Sequence, residues 1–160
     1  MNRSFLLLAC TMAVAGGTAG ATAYGDSGSG SGSASAHASR TVTVELRHTS
    51  LGTILTSGSG QTLYVFSRDR PSADSCVQVK GCAAAWPALE SAAAPSAGPS
   101  VEGSLLSTIH VAGSARQVTY AGHPLYLFSG EPRPGGTAYV GEQQFGGAWD
   151  AISASGRIVK

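Results

Sequence analysis

The sequence has 160 residues, of which 42% are hydrophobic and only 12% are charged. This length allows one domain with a single modest core beside a terminal segment. Ten Lys and Arg residues oppose nine Asp and Glu residues, and neither sign forms a run. Proteins that bind nucleic acid through its phosphates need a basic stripe, so the charge pattern argues against a nucleic-acid partner.

Residues 1–23 have the three-part pattern of an export signal. One positive charge at Arg3 precedes an apolar core over residues 5–15, and small residues follow up to Ala23. Glycines interrupt the apolar run before it reaches the ~20 residues that a spanning helix needs. We therefore expect cleavage before Tyr24 and an extracytoplasmic product, either secreted or attached to the cell envelope.

A second interpretation concerns Cys10, which follows Leu7-Leu8-Ala9 and is similar to the acylated cysteine of a lipoprotein. Only five apolar residues precede this cysteine, however, and the apolar run continues beyond it. Lipidation would attach the protein to a membrane through its N-terminus, whereas loss of Cys10 with the signal would give a free secreted product. We favour the secreted product and keep the lipid anchor as the alternative.

Residues 24–40 are rich in Gly, Ser and Ala. Such a segment buries too little apolar surface to offset its ordering entropy, so we expect a flexible tether. Residues 41–160 should then form a single β-rich domain.

Within this domain, a pattern of residues occurs twice, at about 51–90 (copy one) and 105–155 (copy two). Three separated blocks agree in order and residue type, which predicts two related halves. The blocks are Leu51-Gly52-Thr53-Ile54 and Leu106-Ser107-Thr108-Ile109, then Leu63-Tyr64-Val65-Phe66 and Leu125-Tyr126-Leu127-Phe128, then Ala85-Trp86 and Ala148-Trp149.

Runs of β-branched and aromatic residues predict strands, and the fold class is all-β, with mainly antiparallel strands and one or two short helical turns. Early strands are predicted at 41–46, 51–56 and 61–66, with a turn at 57–60. Later strands are predicted at 105–112 and 115–120 around a turn at Gly113-Ser114, then at 125–128, 149–153 and 157–159. A helical turn is expected within 81–89, whereas the glycine-rich stretch 135–147 has no clear assignment.

The Leu-Tyr-x-Phe strands alternate two kinds of apolar residue. In copy one, Leu63 and Val65 face one side, while Tyr64 and Phe66 face the other. Because both faces are apolar, each strand is expected to lie centrally in its sheet and to be covered on both sides. Trp86 and Trp149 are expected to be large core anchors, each capping its own half.

Six motif residues are the candidate binding residues: Tyr64, Phe66, Asp69, Tyr126, Phe128 and Glu131. The aromatic members are expected in the core. Asp69 and Glu131 follow the strands in turn-forming sequence, where a carboxylate commonly accepts backbone N–H groups. The functional alternative brings each carboxylate to a tyrosine hydroxyl at the rim of a pocket.

Cys76 and Cys82 are the only cysteines outside the signal. In an oxidising compartment, this pair most simply forms one disulfide across a short loop. The C-x-x-C and C-x-x-C-H spacings of redox and haem sites are absent.

The sequence offers no catalytic motif and no cofactor site. The three histidines His48, His110 and His123 are irregularly spaced, which does not predict a metal site. The best-supported class is a binding or structural module and not an enzyme, and we expect a monomer with an unknown envelope or extracellular partner. The alternative is an envelope redox or metal accessory protein handling copper or haem.

The Tyr64-x-Phe66-x-x-Asp69 motif, with Leu51-Gly52-Thr53-Ile54 before it and the run from Cys82 to Pro87 after it, resembles the bacterial secreted-repeat family of predicted lipoproteins. That resemblance implies tandem copies with a Y-x-(F/W/Y)-x-x-D motif and an unknown function. Copy two departs from the motif, because Glu131 replaces the Asp and no cysteine precedes Ala148-Trp149. The resemblance supplies no catalytic residues.

Overall fold

The structure is a computed structural model, and it describes residues 41–111 and 116–160. Strands dominate these ranges. The strands are β1 (Thr43–Thr49), β2 (Gly52–Ser57), β3 (Tyr64–Phe66), β4 (Ser96–Ala97), β5 (Leu106–His110), β6 (Arg116–Tyr120), β7 (His123–Pro124), β8 (Glu142–Gln144), β9 (Gly147–Ile152) and β10 (Ile158–Val159). One α-helical turn, α1 (Cys82–Ala85), and two 3-10 turns at Cys76–Gln78 and Gly103–Leu105 complete the elements. The predicted all-β class is confirmed.

The strands form three small sheets. β1 lies between β2 and β4, pairing antiparallel with the first and parallel with the second. β9 lies between β10 and β3 and also pairs with β8, while β6 lies between β5 and β7. All pairings in these last two sheets are antiparallel.

Several strand bounds differ from the sequence prediction. The opening strand runs to Thr49 because its polar end continues to pair with β2, as His48 opposite Thr53 shows. β8 was missed, since Glu-Gln-Gln has no β-branched or aromatic residue to signal a strand. The predicted signal, Cys10, the tether and the Gly113-Ser114 turn lie outside the described residues.

The predicted turn between β2 and β3 is present. The Ser57 N–H donates to the Gln61 carbonyl at 2.8 Å, and the Gly60 N–H donates to the Ser57 carbonyl at 2.7 Å. Gly60 has a φ of +83°, a backbone conformation that side chains disfavour, which explains a glycine at this position.

The two Leu-Tyr-x-Phe segments pair with each other. The Tyr64 N–H donates to the Tyr126 carbonyl and the Tyr126 N–H donates to the Tyr64 carbonyl, each at 2.9 Å. Copy one and copy two are therefore joined by an antiparallel bridge at the same residue of the repeated pattern, although the strand predicted at 125–128 is not present as a strand.

The outer edges of these two segments pair with the tryptophan segments, and the pairing crosses between copies. The Ser67 N–H donates to the Ala148 carbonyl, so copy one pairs with the tryptophan segment of copy two. In the equivalent contact with the copies exchanged, the Ser129 N–H of copy two donates to the Ala85 carbonyl of copy one. Both bonds measure 2.9 Å.

Apolar side chains lie on both faces of the paired segments, as the alternation predicted. Leu63, Val65 and Leu125 belong to one hydrophobic cluster, whereas Tyr64 and the other aromatic motif residues belong to a second. Within the described ranges, no helix reaches the length and apolar character that crossing a membrane takes.

Cys76 and Cys82 form the predicted disulfide, with their Cα atoms 5.4 Å apart. Both residues are buried in the aromatic cluster. The bond ties the 3-10 turn after β3 to α1, which leads directly into Trp86.

Replacing both cysteines by alanine should lower the free energy of unfolding by about 2 kcal/mol, because the closed loop is short. Urea unfolding measures this loss. A reducing agent should destabilise the wild type by a similar amount and leave the double variant unchanged. Equal stability of the two proteins under oxidising conditions would contradict a stabilising role.

Candidate functional site

Four aromatic rings from both copies form a column, here called the aromatic stack. Trp86 and Trp149 stack at its middle, with ring centroids 4.1 Å apart and planes 3° from parallel. Phe66 stacks on Trp149 at 4.2 Å, and Phe128 lies against Trp86 at 4.4 Å. The expectation that each tryptophan caps its own half was wrong, because the two side chains meet each other.

The motif tyrosines contact the stack edge-on. Tyr64 meets Trp86 with centroids 5.1 Å apart, and Tyr126 meets Trp149 at 5.2 Å. Edge-to-face contacts are a favoured arrangement of aromatic pairs. Both tyrosines are fully buried, which fits the expected core position.

One residue of the missed strand β8 satisfies both indole groups of the stack. Trp86 Nε1 donates to the Gln144 side-chain oxygen at 3.0 Å, and Trp149 Nε1 donates to the Gln144 carbonyl at 3.3 Å. A buried indole N–H needs an acceptor. Gln144 therefore has a structural role that the sequence did not signal.

The Asp69 carboxylate makes both kinds of contact considered for it, one to a backbone N–H and one to a tyrosine hydroxyl. Its Oδ1 accepts the Ser75 N–H at 2.8 Å, which fixes the turn after β3. Its Oδ2 accepts the Tyr126 hydroxyl at 2.8 Å, so the acid of copy one meets the tyrosine of copy two. Burial raises the pKa of Asp69 to about 6, although these hydrogen bonds act to lower it.

Glu131, the equivalent acid of copy two, lies near Tyr64 without forming a hydrogen bond to it. Both Glu131 carboxylate oxygens and the Tyr64 hydroxyl are shielded from solvent and have no hydrogen-bond partner among the described residues. Burial raises the pKa of Tyr64, and the nearby Glu131 charge raises it further. The longer glutamate side chain thus gives a different arrangement from that of Asp69.

A cavity of about 440 Å³ opens beside β3, and we call it the β3 cavity. It is lined by Val65, Phe66, Ser67, Asp69, His123, Asp150, Ile158 and Lys160. Copy one supplies the first four of these residues, while His123 and Asp150 come from copy two. Of the six predicted motif residues, only Phe66 and Asp69 line this cavity.

Asp150 is the functional candidate that sequence reasoning missed. It lies in β9 opposite Val65 and is only 5% exposed. Burial raises the pKa of its carboxyl, and the Lys160 charge acts in the opposite direction. An aspartate between Trp149 and Ala151 in a strand was the available signal, because aspartate is depleted in strands.

His123, one of the three irregularly spaced histidines, lies half-buried in β7, in the wall of the β3 cavity. In the part of the chain that the structure describes, no three His, Cys, Asp or Glu side chains lie close enough together to hold a metal ion.

Tyr126→Phe should destabilise the protein by about 1–3 kcal/mol at pH 7, because it removes a hydrogen bond to a carboxylate. Tyr64→Phe is the matched control. Its hydroxyl has no hydrogen-bond partner among the described residues, so its removal should be neutral or slightly stabilising. Urea unfolding of both variants gives the comparison, and equal losses would contradict the structural difference between the two tyrosines.

The raised pKa of Asp69 predicts a pH-dependent stability. The folded state holds the proton more tightly than the unfolded state, whose pKa is near 3.8. The contribution of Asp69 is therefore fully present below pH 3.8 and is lost as the pH rises to about 6.

Asp69→Asn should reduce the fall in unfolding free energy between pH 4 and pH 6, as measured by urea unfolding at a series of pH values. Glu90→Gln removes an exposed carboxylate and should leave the slope unchanged. An unaltered slope in Asp69→Asn would show that the Asp69 carboxyl is not the group responsible.

Comparison with known proteins gives one finding for this chain. Residues 46–90 match the model of the family Lipoprotein_15, which is described as a secreted repeat of unknown function. The matched segment includes β2, β3, the disulfide and α1. No curated protein and no solved structure matches the chain. The predicted resemblance is confirmed over residues 46–90, which match a secreted repeat of unknown function.

Proposed function

We propose that this chain is an extracytoplasmic binding module that holds a small ligand in the β3 cavity. The family match supports the location, because the matched family is described as secreted. The disulfide fits an oxidising compartment. In this proposal, residues 1–23 direct export and residues 24–40 space the domain from its surroundings, with the free secreted form favoured over a lipid anchor on Cys10.

The observation that carries the proposal is that both copies contribute acidic groups to one cavity. Asp69 follows β3 of copy one, and Asp150 lies in β9 of copy two. Pockets with an apolar lining and a few convergent polar groups are the usual form of a small-molecule site. Phe66, Val65 and Ile158 supply the apolar part of this lining.

The cavity walls are held in place before any ligand arrives. The β3–β9 pairing fixes Val65 and Asp150 opposite each other. Hydrogen bonds from the Ser75 N–H and the Tyr126 hydroxyl fix the Asp69 carboxylate. A preorganised site binds with a smaller entropy cost than a flexible one, which favours a binding role over a purely structural one.

A fragment screen tests the proposal without knowledge of the natural ligand. Small charged and neutral fragments would be added to the ¹⁵N-labelled domain, and the amide signals that shift would be assigned. We expect a group of fragments to shift the signals of Phe66, His123 and Ile158 together.

Two substitutions at exposed apolar positions make the screen specific. Ile158→Trp places a large ring at the cavity and should abolish these shifts, whereas Leu51→Trp alters an exposed residue outside the cavity lining and should retain them. The proposed function is rejected if no fragment binds at the cavity, or if Ile158→Trp binds fragments as the wild type does.

A further inference from the structure

We infer that the ligand of the β3 cavity carries a primary or secondary ammonium group on a short apolar chain. This inference rests on the proposed function and adds the chemical class of the ligand. Its basis is the placement of two carboxylates, Asp69 and Asp150, beside the apolar side chains of Val65, Phe66 and Ile158 in a single cavity.

The Asp150 carboxylate is positioned to act inside the cavity. Residues directly opposite in an antiparallel pair point to the same face, so Asp150 shares the face of Val65. It is 95% buried by its neighbours yet still lines the cavity. An ammonium group that enters would meet an acceptor whose backbone position is fixed by the β3–β9 pairing, and hydrogen bonds between charged groups are stronger than those between neutral groups.

The charges near the cavity favour a cation. A carboxylate removed from water is costly unless a positive group compensates it. Lys160 is exposed and acts on Asp150, but it does not outweigh the effect of burial, because the pKa of Asp150 remains raised. Within residues 41–111 and 116–160, the donors to the Asp69 carboxylate are both neutral, and the negative charge of Asp74 adds repulsion.

The apolar part of the cavity lining indicates the chemistry of the ligand beyond its ammonium group. Phe66 is only 3% exposed because its ring belongs to the aromatic stack, and Val65 is 4% exposed. Their contact with the cavity favours a hydrocarbon chain over a polar one. Ile158, which is 41% exposed, adds an apolar surface on β10.

Three probes of equal chain length test this inference: n-butylamine, 1-butanol and butyrate. NMR titration of the wild type at pH 7.5 should show butylamine binding in the cavity at least about tenfold more tightly than butanol, a difference that one charge-assisted hydrogen bond can supply. Butyrate should bind more weakly than butanol, because its negative charge would enter a cavity lined by two aspartates.

Variants assign the preference to specific charges. Asp150→Asn should remove most of the preference for the amine, whereas Glu90→Gln, which removes a carboxylate outside the cavity, should keep it. Lys160→Ala should strengthen amine binding, since it removes a competing cation at an exposed position. This last variant tests the inference even if Asp150→Asn does not fold.

The possible results separate the inference from the proposed function. If butanol or butyrate binds in the cavity as tightly as butylamine, the ligand class is wrong while the binding site stands. A butylamine preference that is unchanged in folded Asp150→Asn or weakened in Lys160→Ala also overturns the inference. Failure of every fragment to bind at the cavity rejects the proposed function itself.

Discussion

The reciprocal backbone pair between Tyr64 and Tyr126 is the contact on which the rest of the structure depends. Two hydrogen bonds of 2.9 Å join the copies at equivalent residues. Because strand side chains alternate in direction, this register sets which residues of each copy face the aromatic cluster and which face the aliphatic one. A slip by one residue would turn the tyrosines away from Trp86 and Trp149 and disrupt both clusters.

The same pairing makes the copies complete each other. The tryptophan segment of each copy lies against the motif segment of the other, so the aromatic stack takes rings from both. The β3 cavity has the same composite origin, with Asp69 and Asp150 contributed by different copies. The aromatic core and the β3 cavity therefore both depend on the pairing between the two copies.

Local features of the fold were predictable because they depend on nearby residues. The alternation over Leu63 to Phe66 predicted two-sided burial, and the short spacing of Cys76 and Cys82 predicted their disulfide. Contacts between distant segments were not predictable. Tyr126 and Asp69 lie 57 residues apart, and only the cross-pairing of the copies brings them together. Asp150 was missed for the same reason, since the cavity that gives it a role exists only after β9 pairs with β3.

The crossed pairing also means that the two halves need not match residue for residue. Each half is completed by the other within one chain, so a residue and its counterpart can have different partners. The Asp69 carboxylate bonds to Tyr126, whereas Glu131 and the Tyr64 hydroxyl have no hydrogen-bond partner among the described residues. A substitution on one side of the domain therefore does not require the same substitution on the other.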